Sequence, residues 1–114
     1  MAALLLSAAP AHGEKVGAFL DAFNGSDPVA KAQYVYYFTG VQDALMYAND
    51  WMGPTGRRKP VCFPSRIPSR EQLLKEFIEH AELATKKAGL QTVRFAEVDQ
   101  LMLAGWIRKY PCPK

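Results

Sequence analysis

The residues with the widest chemical range in this chain are two cysteines, Cys62 and Cys112, and two histidines, His12 and His80. A thiol beside an imidazole can act as a nucleophile when the two lie within hydrogen-bond reach. The sequence context argues for a different use. Cys62 is followed by Phe63-Pro64, and Cys112 stands between Pro111 and Pro113. Stiff surroundings of that kind suit fixed cross-link points. His80 follows a charged, amphipathic stretch and is expected at the surface. A Cys–His pair remains the enzymatic alternative, and free, readily alkylated thiols would favour it. A metal site lacks ligands, because structural zinc needs four and the expected mature chain keeps one histidine. Glu76, Glu79 and Glu82 recur at steps of three, as charges on a solvated helix face do. Gly53 and Gly56 belong to a turn, without the strand-to-helix context of a phosphate-binding loop. Tyr34, Tyr36 and Tyr37 could stack on a ligand, but at helical spacing they read first as core. The expectation is a protein that is not an enzyme and has no cofactor and no metal.

What remains is an uneven distribution of charge. Arg57, Arg58, Lys59, Arg66 and Arg70 all precede Glu71, the first acid after Asp50. Pro60, Pro64 and Pro68 keep the stretch extended. Trp51 stands just before it, and Trp and Arg are the residues most enriched at binding hot spots. Trp51, Arg57, Arg58, Lys59 and Arg66 are therefore the expected partner-binding residues, meeting an acidic protein surface. The plainer reading is a solvated loop. The net charge of +3 is too small and too little clustered to suggest a nucleic-acid binder.

These residues need elements to hold them. With 114 residues, 49% of them apolar, the chain suits one domain with a real core. Residues 1–13 carry no Lys, Arg, Asp or Glu. Ala2–Ala9 is apolar, and Ala9-Pro10-Ala11 has the form of a signal-peptidase site. The segment reads as a signal-peptide remnant, too short to span a membrane. A cytosolic N-terminal arm is the competing reading. Export would place the protein in an oxidising compartment and pair Cys62 with Cys112.

From residue 14 to 114 the pattern is helical. Glu14–Asn24 is amphipathic and stops at Asn24-Gly25. Asp27-Pro28 opens a long helix to Met52, with one apolar stripe through Tyr34, Phe38, Val41, Leu45, Ala48 and Met52. A second stripe holds Tyr36, Gly40, Ala44, Tyr47 and Trp51. Only a narrow strip, with Gln42, Asp43 and Asn49 among it, is polar. Such a helix is expected to be central and covered on several sides. Ser69 and Gln72 form a capping-box pattern that opens a helix from Arg70 to Ala88. Its Glu71–Lys75 and Glu82–Lys86 spacings suit ion pairs. Leu90–Val93 reads as a connector, and Arg94–Lys109 as the last helix, with Phe95 on its buried face. Ala104-Gly105 is expected to cross the long helix at the flat patch of Gly40 and Ala44. No stretch alternates with period two. The expected fold is all-α: a compact bundle of about four helices around a central helix, tied by one disulfide.

One ordered set of motifs resembles a known family. A leader precedes a helix with Tyr37, Gly40 and Ala44, then Cys62-x-Pro64, Ile67-Pro68-Ser69 and Gln72-Leu73. The chain closes on Trp106-Ile107-x-x-Tyr110-Pro111-Cys112. Over about Gln33–Cys112 this resembles the Rap/Tai family of type VI secretion immunity proteins. Members commonly carry a proline break after the third helix, whereas Glu79-His80-Ala81-Glu82 runs on without one. The resemblance implies a small, helical, disulfide-linked periplasmic protein. Its partner would be a peptidoglycan amidase effector whose active site it occludes, and relatives often act as homodimers. The alternative is a small periplasmic acid-stress chaperone, or an orphan envelope protein of the same fold.

Overall fold

A computed structural model of the chain describes residues 13–113, and the signal-peptide expectation for residues 1–13 lies almost wholly outside them. Five helices follow in order among the described residues: α1 Val16–Asn24, α2 Pro28–Met52, α3 Arg70–Ala88, α4 Leu90–Phe95 and α5 Val98–Lys109. There is no strand among the described residues. One antiparallel bridge, Lys15 with Glu97, ties the entry of α1 to the start of α5. There the Val16 N–H donates to the Ala96 carbonyl at 2.8 Å and the Val98 N–H to that of Glu14 at 2.9 Å.

The helix starts follow local chemistry. The Asp27 carboxylate accepts from the Val29 and Ala30 N–H groups, with Pro28 at the first helical position. Ser69 accepts from the Gln72 N–H at 3.1 Å. The reciprocal half of the capping box is absent, because the Gln72 amide donates to Glu76 instead. Neither Glu71–Lys75 nor Glu82–Lys86 forms an ion pair among the described residues. The expected connector after α3 is itself helical. Gly89, at φ +92°, turns the chain and α4 begins at once. Phe95 consequently ends α4, 71% exposed, and does not reach the core face of α5. The bidentate pair of Arg94 with Asp21, at 3.0 and 2.7 Å, braces α4 against α1.

The core forms where α1, α2 and α3 meet. The rings of Phe19, Phe38 and Phe77 lie 5.1–5.6 Å apart, at angles that avoid face-to-face stacking. From α5, Met102 and Trp106 close the other side. The small residue of α5 does not meet the flat patch of α2. A Cβ at Gly105 would lie 3.1 Å from the His80 ring, so α5 packs closely on α3 there. A Cβ at Gly40 would meet nothing within 4 Å.

The long helix is central in sequence but covered on one side only. Phe38, Gln42 and Asn49 are its buried residues. Gln42 and Asn49, expected on a polar outer strip, face inward. The second apolar stripe faces out, with Tyr36 at 80%, Tyr47 at 71% and Trp51 at 60% exposure. The reason is supply. Among the described residues the other helices gather on one flank of α2, and none covers the second.

Candidate partner-binding surface

The loop between α2 and α3 is fixed at its middle and free at both shoulders. Asn49, 4% exposed, holds the middle. Its amide nitrogen donates to the Val61 carbonyl at 2.9 Å, and its amide oxygen accepts from the Val61 N–H at 3.0 Å. One buried side chain thus satisfies both polar groups of a loop residue whose own side chain is fully buried. One residue on, the Cys62 N–H donates to the Tyr110 carbonyl at 2.9 Å, and Cys62 is bonded to Cys112. Phe63 then packs on Trp106 and Tyr110, with ring centroids 5.1 and 5.0 Å away. The expected disulfide is present and acts with these contacts as one clamp.

The first shoulder is the turn after α2. The Arg57 N–H and the Thr55 hydroxyl both donate to the Met52 carbonyl, at 3.0 and 2.9 Å, with Gly56 at φ +78°. Here Tyr47, Ala48, Trp51, Met52, Thr55 and Arg57 line an open groove of about 520 Å³. Arg57 and Arg58 are exposed, and neither has an acidic partner among the described residues. The second shoulder carries Arg66, likewise exposed and without one, beside Ile67 at 56% exposure. Lys59 stands apart from this set. Its ammonium lies 3.9 Å from Asp50 and its side chain passes over Gly53, so it braces the turn. Of the five expected binding residues, the structure gathers Trp51 and Arg57 at one groove. Arg58 stands next to it, Arg66 is on the other shoulder, and Lys59 supports the fold.

The alternative of a cysteine nucleophile beside His80 lacks a free thiol, because the two sulfurs are bonded to each other. His80 departs from its expected surface position. Its Nδ1 is enclosed with no hydrogen-bond partner among the described residues, and its ring lies against Gly105. Burial pushes its pKa down, and Arg108 and Lys87 push the same way. Glu76 also departs from the expected solvated face. It accepts from the Tyr110 hydroxyl at 2.6 Å and from the Gln72 amide at 2.8 Å, with Lys109 at 3.3 Å. Burial raises its pKa, but these three bonds outweigh burial and leave it below the ordinary carboxylate value. Burial and then Glu76 push the Tyr110 phenol strongly up, so it stays protonated and donating. This cluster fastens the end of α5 to α3. Of the tyrosines, Tyr37 accepts from the Glu14 N–H at 2.9 Å, and Tyr34 packs edge-on against Phe19. No group of three or more metal-binding side chains occurs among the described residues.

No family model, curated protein or solved structure matches this chain.

Proposed function

We propose that this protein is a periplasmic, immunity-type inhibitor. It binds a type VI secreted peptidoglycan amidase and blocks the enzyme's active site. The observation that carries the reading is the clamped loop. Arg57, Arg58 and Arg66 project, without acidic partners among the described residues, from a backbone fixed by Asn49, a disulfide and a cluster of aromatic rings. Cations held ready on a rigid support lose little freedom on binding, which is how a small surface gains affinity. Their charge steers approach to an acidic surface. The disulfide fits an oxidising compartment, and the ordered motifs resemble the Rap/Tai family.

The test is the affinity of the oxidised protein for such an amidase, with and without the double substitution Arg58→Glu, Arg66→Glu. The expected loss is at least tenfold, about 1.4 kcal/mol. Unchanged affinity would remove the loop from the interface.

The acid-stress chaperone reading has one observation in its favour. His80 and Glu76 both lie in the seam between α3 and α5, and acid acts against both. That reading predicts exposed apolar surface and dye binding at low pH, with suppression of client aggregation.

A further inference from the structure

We propose that Asn24 is a site of spontaneous deamidation, at which solvent water turns the side-chain amide into a carboxylate. The chain has two asparagines, Asn24 and Asn49, and the fold gives them opposite fates. Asn49 is 4% exposed, both polar atoms of its amide are bonded to Val61, and Asp50 follows it. Asn24 is exposed, as are Gly25 and Ser26 after it.

In this reaction a main-chain nitrogen attacks the side chain before it. The Gly25 nitrogen gives up its proton to base and bonds to Cγ of Asn24. The Cγ–Nδ2 bond breaks and ammonia leaves, which closes a succinimide ring. Water then adds to one of the two ring carbonyls and breaks its bond to the Gly25 nitrogen, which regains its proton. Opening at Cγ gives aspartate, and opening at the main-chain carbonyl gives isoaspartate. One water is consumed for each ammonia lost, and nothing is oxidised or reduced.

A side chain on the attacking residue hinders the first step, and Gly25 has none. The fold keeps it so, because a Cβ there would lie 2.9 Å from the Asp21 carbonyl oxygen. Close approach at the end of α1 thus retains the glycine that makes Asn24 reactive. Helical backbone holds the attacking nitrogen away from Cγ, so the end of α1 has to open first. Little resists this. Asn24 is the last residue of α1, and Gly25 has already left the helix at φ -80° and ψ 177°. The Gly25 N–H is bonded to the Ala22 carbonyl at 3.3 Å, beyond the usual range for such a bond. Frayed helix ends open at almost no cost in free energy.

The change alters the molecule locally. A carboxylate at the end of α1 is unfavourable beside the negative end of the helix dipole. It also enters the open groove that Asn24 lines with Leu20, Ile78, Thr85, Lys86 and Leu90. The isoaspartyl product adds a methylene to the main chain just before the Asp27 cap of α2.

The reaction does not rest on the amidase reading. The oxidised protein and a free peptide of residues 20–28 are held side by side in mildly alkaline buffer. Trypsin cleavage after Lys31 then places Asn24 and Asn49 in separate fragments for mass spectrometry. The Asn24 fragment is expected to gain the mass of an amide turned into an acid, and to accept methyl groups from an isoaspartyl methyltransferase. Its rate is expected to lie within about tenfold of the peptide's, because the end of α1 opens readily. The Asn49 fragment is expected to stay unchanged over the same time. Asn24→Gln, whose longer side chain closes a ring far more slowly, is expected to abolish the change. Conversion of Asn24 slower than the peptide by more than about tenfold overturns the proposal, because the end of α1 is then shut. Conversion of Asn49 ahead of Asn24, or an equal gain of mass in Asn24→Gln, also overturns it.

Discussion

Asn49 shows how much one side chain can decide. It is the buried hinge pin between α2 and the loop, and it alone satisfies both polar groups of Val61. An unpaired buried donor or acceptor costs about 1–3 kcal/mol, so Asn49→Ala is expected to lose about 3 kcal/mol or more. Chemical denaturation of the oxidised protein measures this, and a loss below about 1 kcal/mol would show that the clamp is held by the disulfide and aromatic contacts instead. In the sequence Asn49 looked like part of a polar outer strip, because composition does not show which side of a helix meets a loop. Glu76 and His80 were obscured in the same way. Each sits in a regular charged pattern on α3, and only the return of the chain through α5 and Tyr110 encloses them. For His80 the consequence is a pH dependence. Its ordinary pKa is 6.5 and the folded state lowers it, so the unfolded chain takes up that proton first. Stability from this group is complete above about pH 6.5 and is lost as pH falls through the folded-state value. The denaturation midpoint should drop between about pH 7.5 and about pH 5, and less steeply in His80→Gln. Equal slopes in the two proteins would contradict the account.

At the level of the helices, most starts and stops were legible because caps are local chemistry. Asp27-Pro28 and Ser69 open their helices as the sequence suggests. The exception is α4, whose six residues are too few to show a helical period. Packing partners were less legible. Both small patches, Gly40 with Ala44 and Ala104 with Gly105, read as crossing points, and only the second is one within this chain. The two glycines give opposite expectations. Gly40→Ala adds a methyl in open space and should stabilise the monomer by about 1 kcal/mol through helix propensity. Gly105→Ala gains the same propensity but sets a methyl 3.1 Å from a packed His80 ring, and should be less stable than the wild type. The two melting temperatures, each compared with the wild type, decide the matter. A stabilised Gly105→Ala would mean that the seam between α3 and α5 is looser than its geometry indicates.

For the molecule as a whole, the disulfide joins a loop to the chain's end across a sequence separation of 50 residues. In the chain-entropy model a closed loop of that size contributes about 4 kcal/mol, a large share of a small domain's stability. Reduction should therefore lower the denaturation midpoint sharply, and a negligible shift would show that the Asn49 clamp and the core suffice. The all-helical class and the disulfide followed from the sequence because helical period and cysteine context are patterns within the chain. The one-sided cover of α2 did not follow, because an apolar outer stripe has the same composition as a buried one. The basic loop was visible as charge, but its rigidity was not, because Asn49, Tyr110 and Cys112 reach it from other elements. An aromatic stripe and a rigid cationic loop, both open to solvent, suit a protein that works by binding others. The most direct test of that central claim is turnover by type VI peptidoglycan amidases in the presence of the oxidised protein. The account predicts that an equimolar amount abolishes turnover by one such amidase, and that Arg58→Glu with Arg66→Glu restores it. Full turnover by every amidase at a tenfold excess of the protein, with no complex formed, would contradict it.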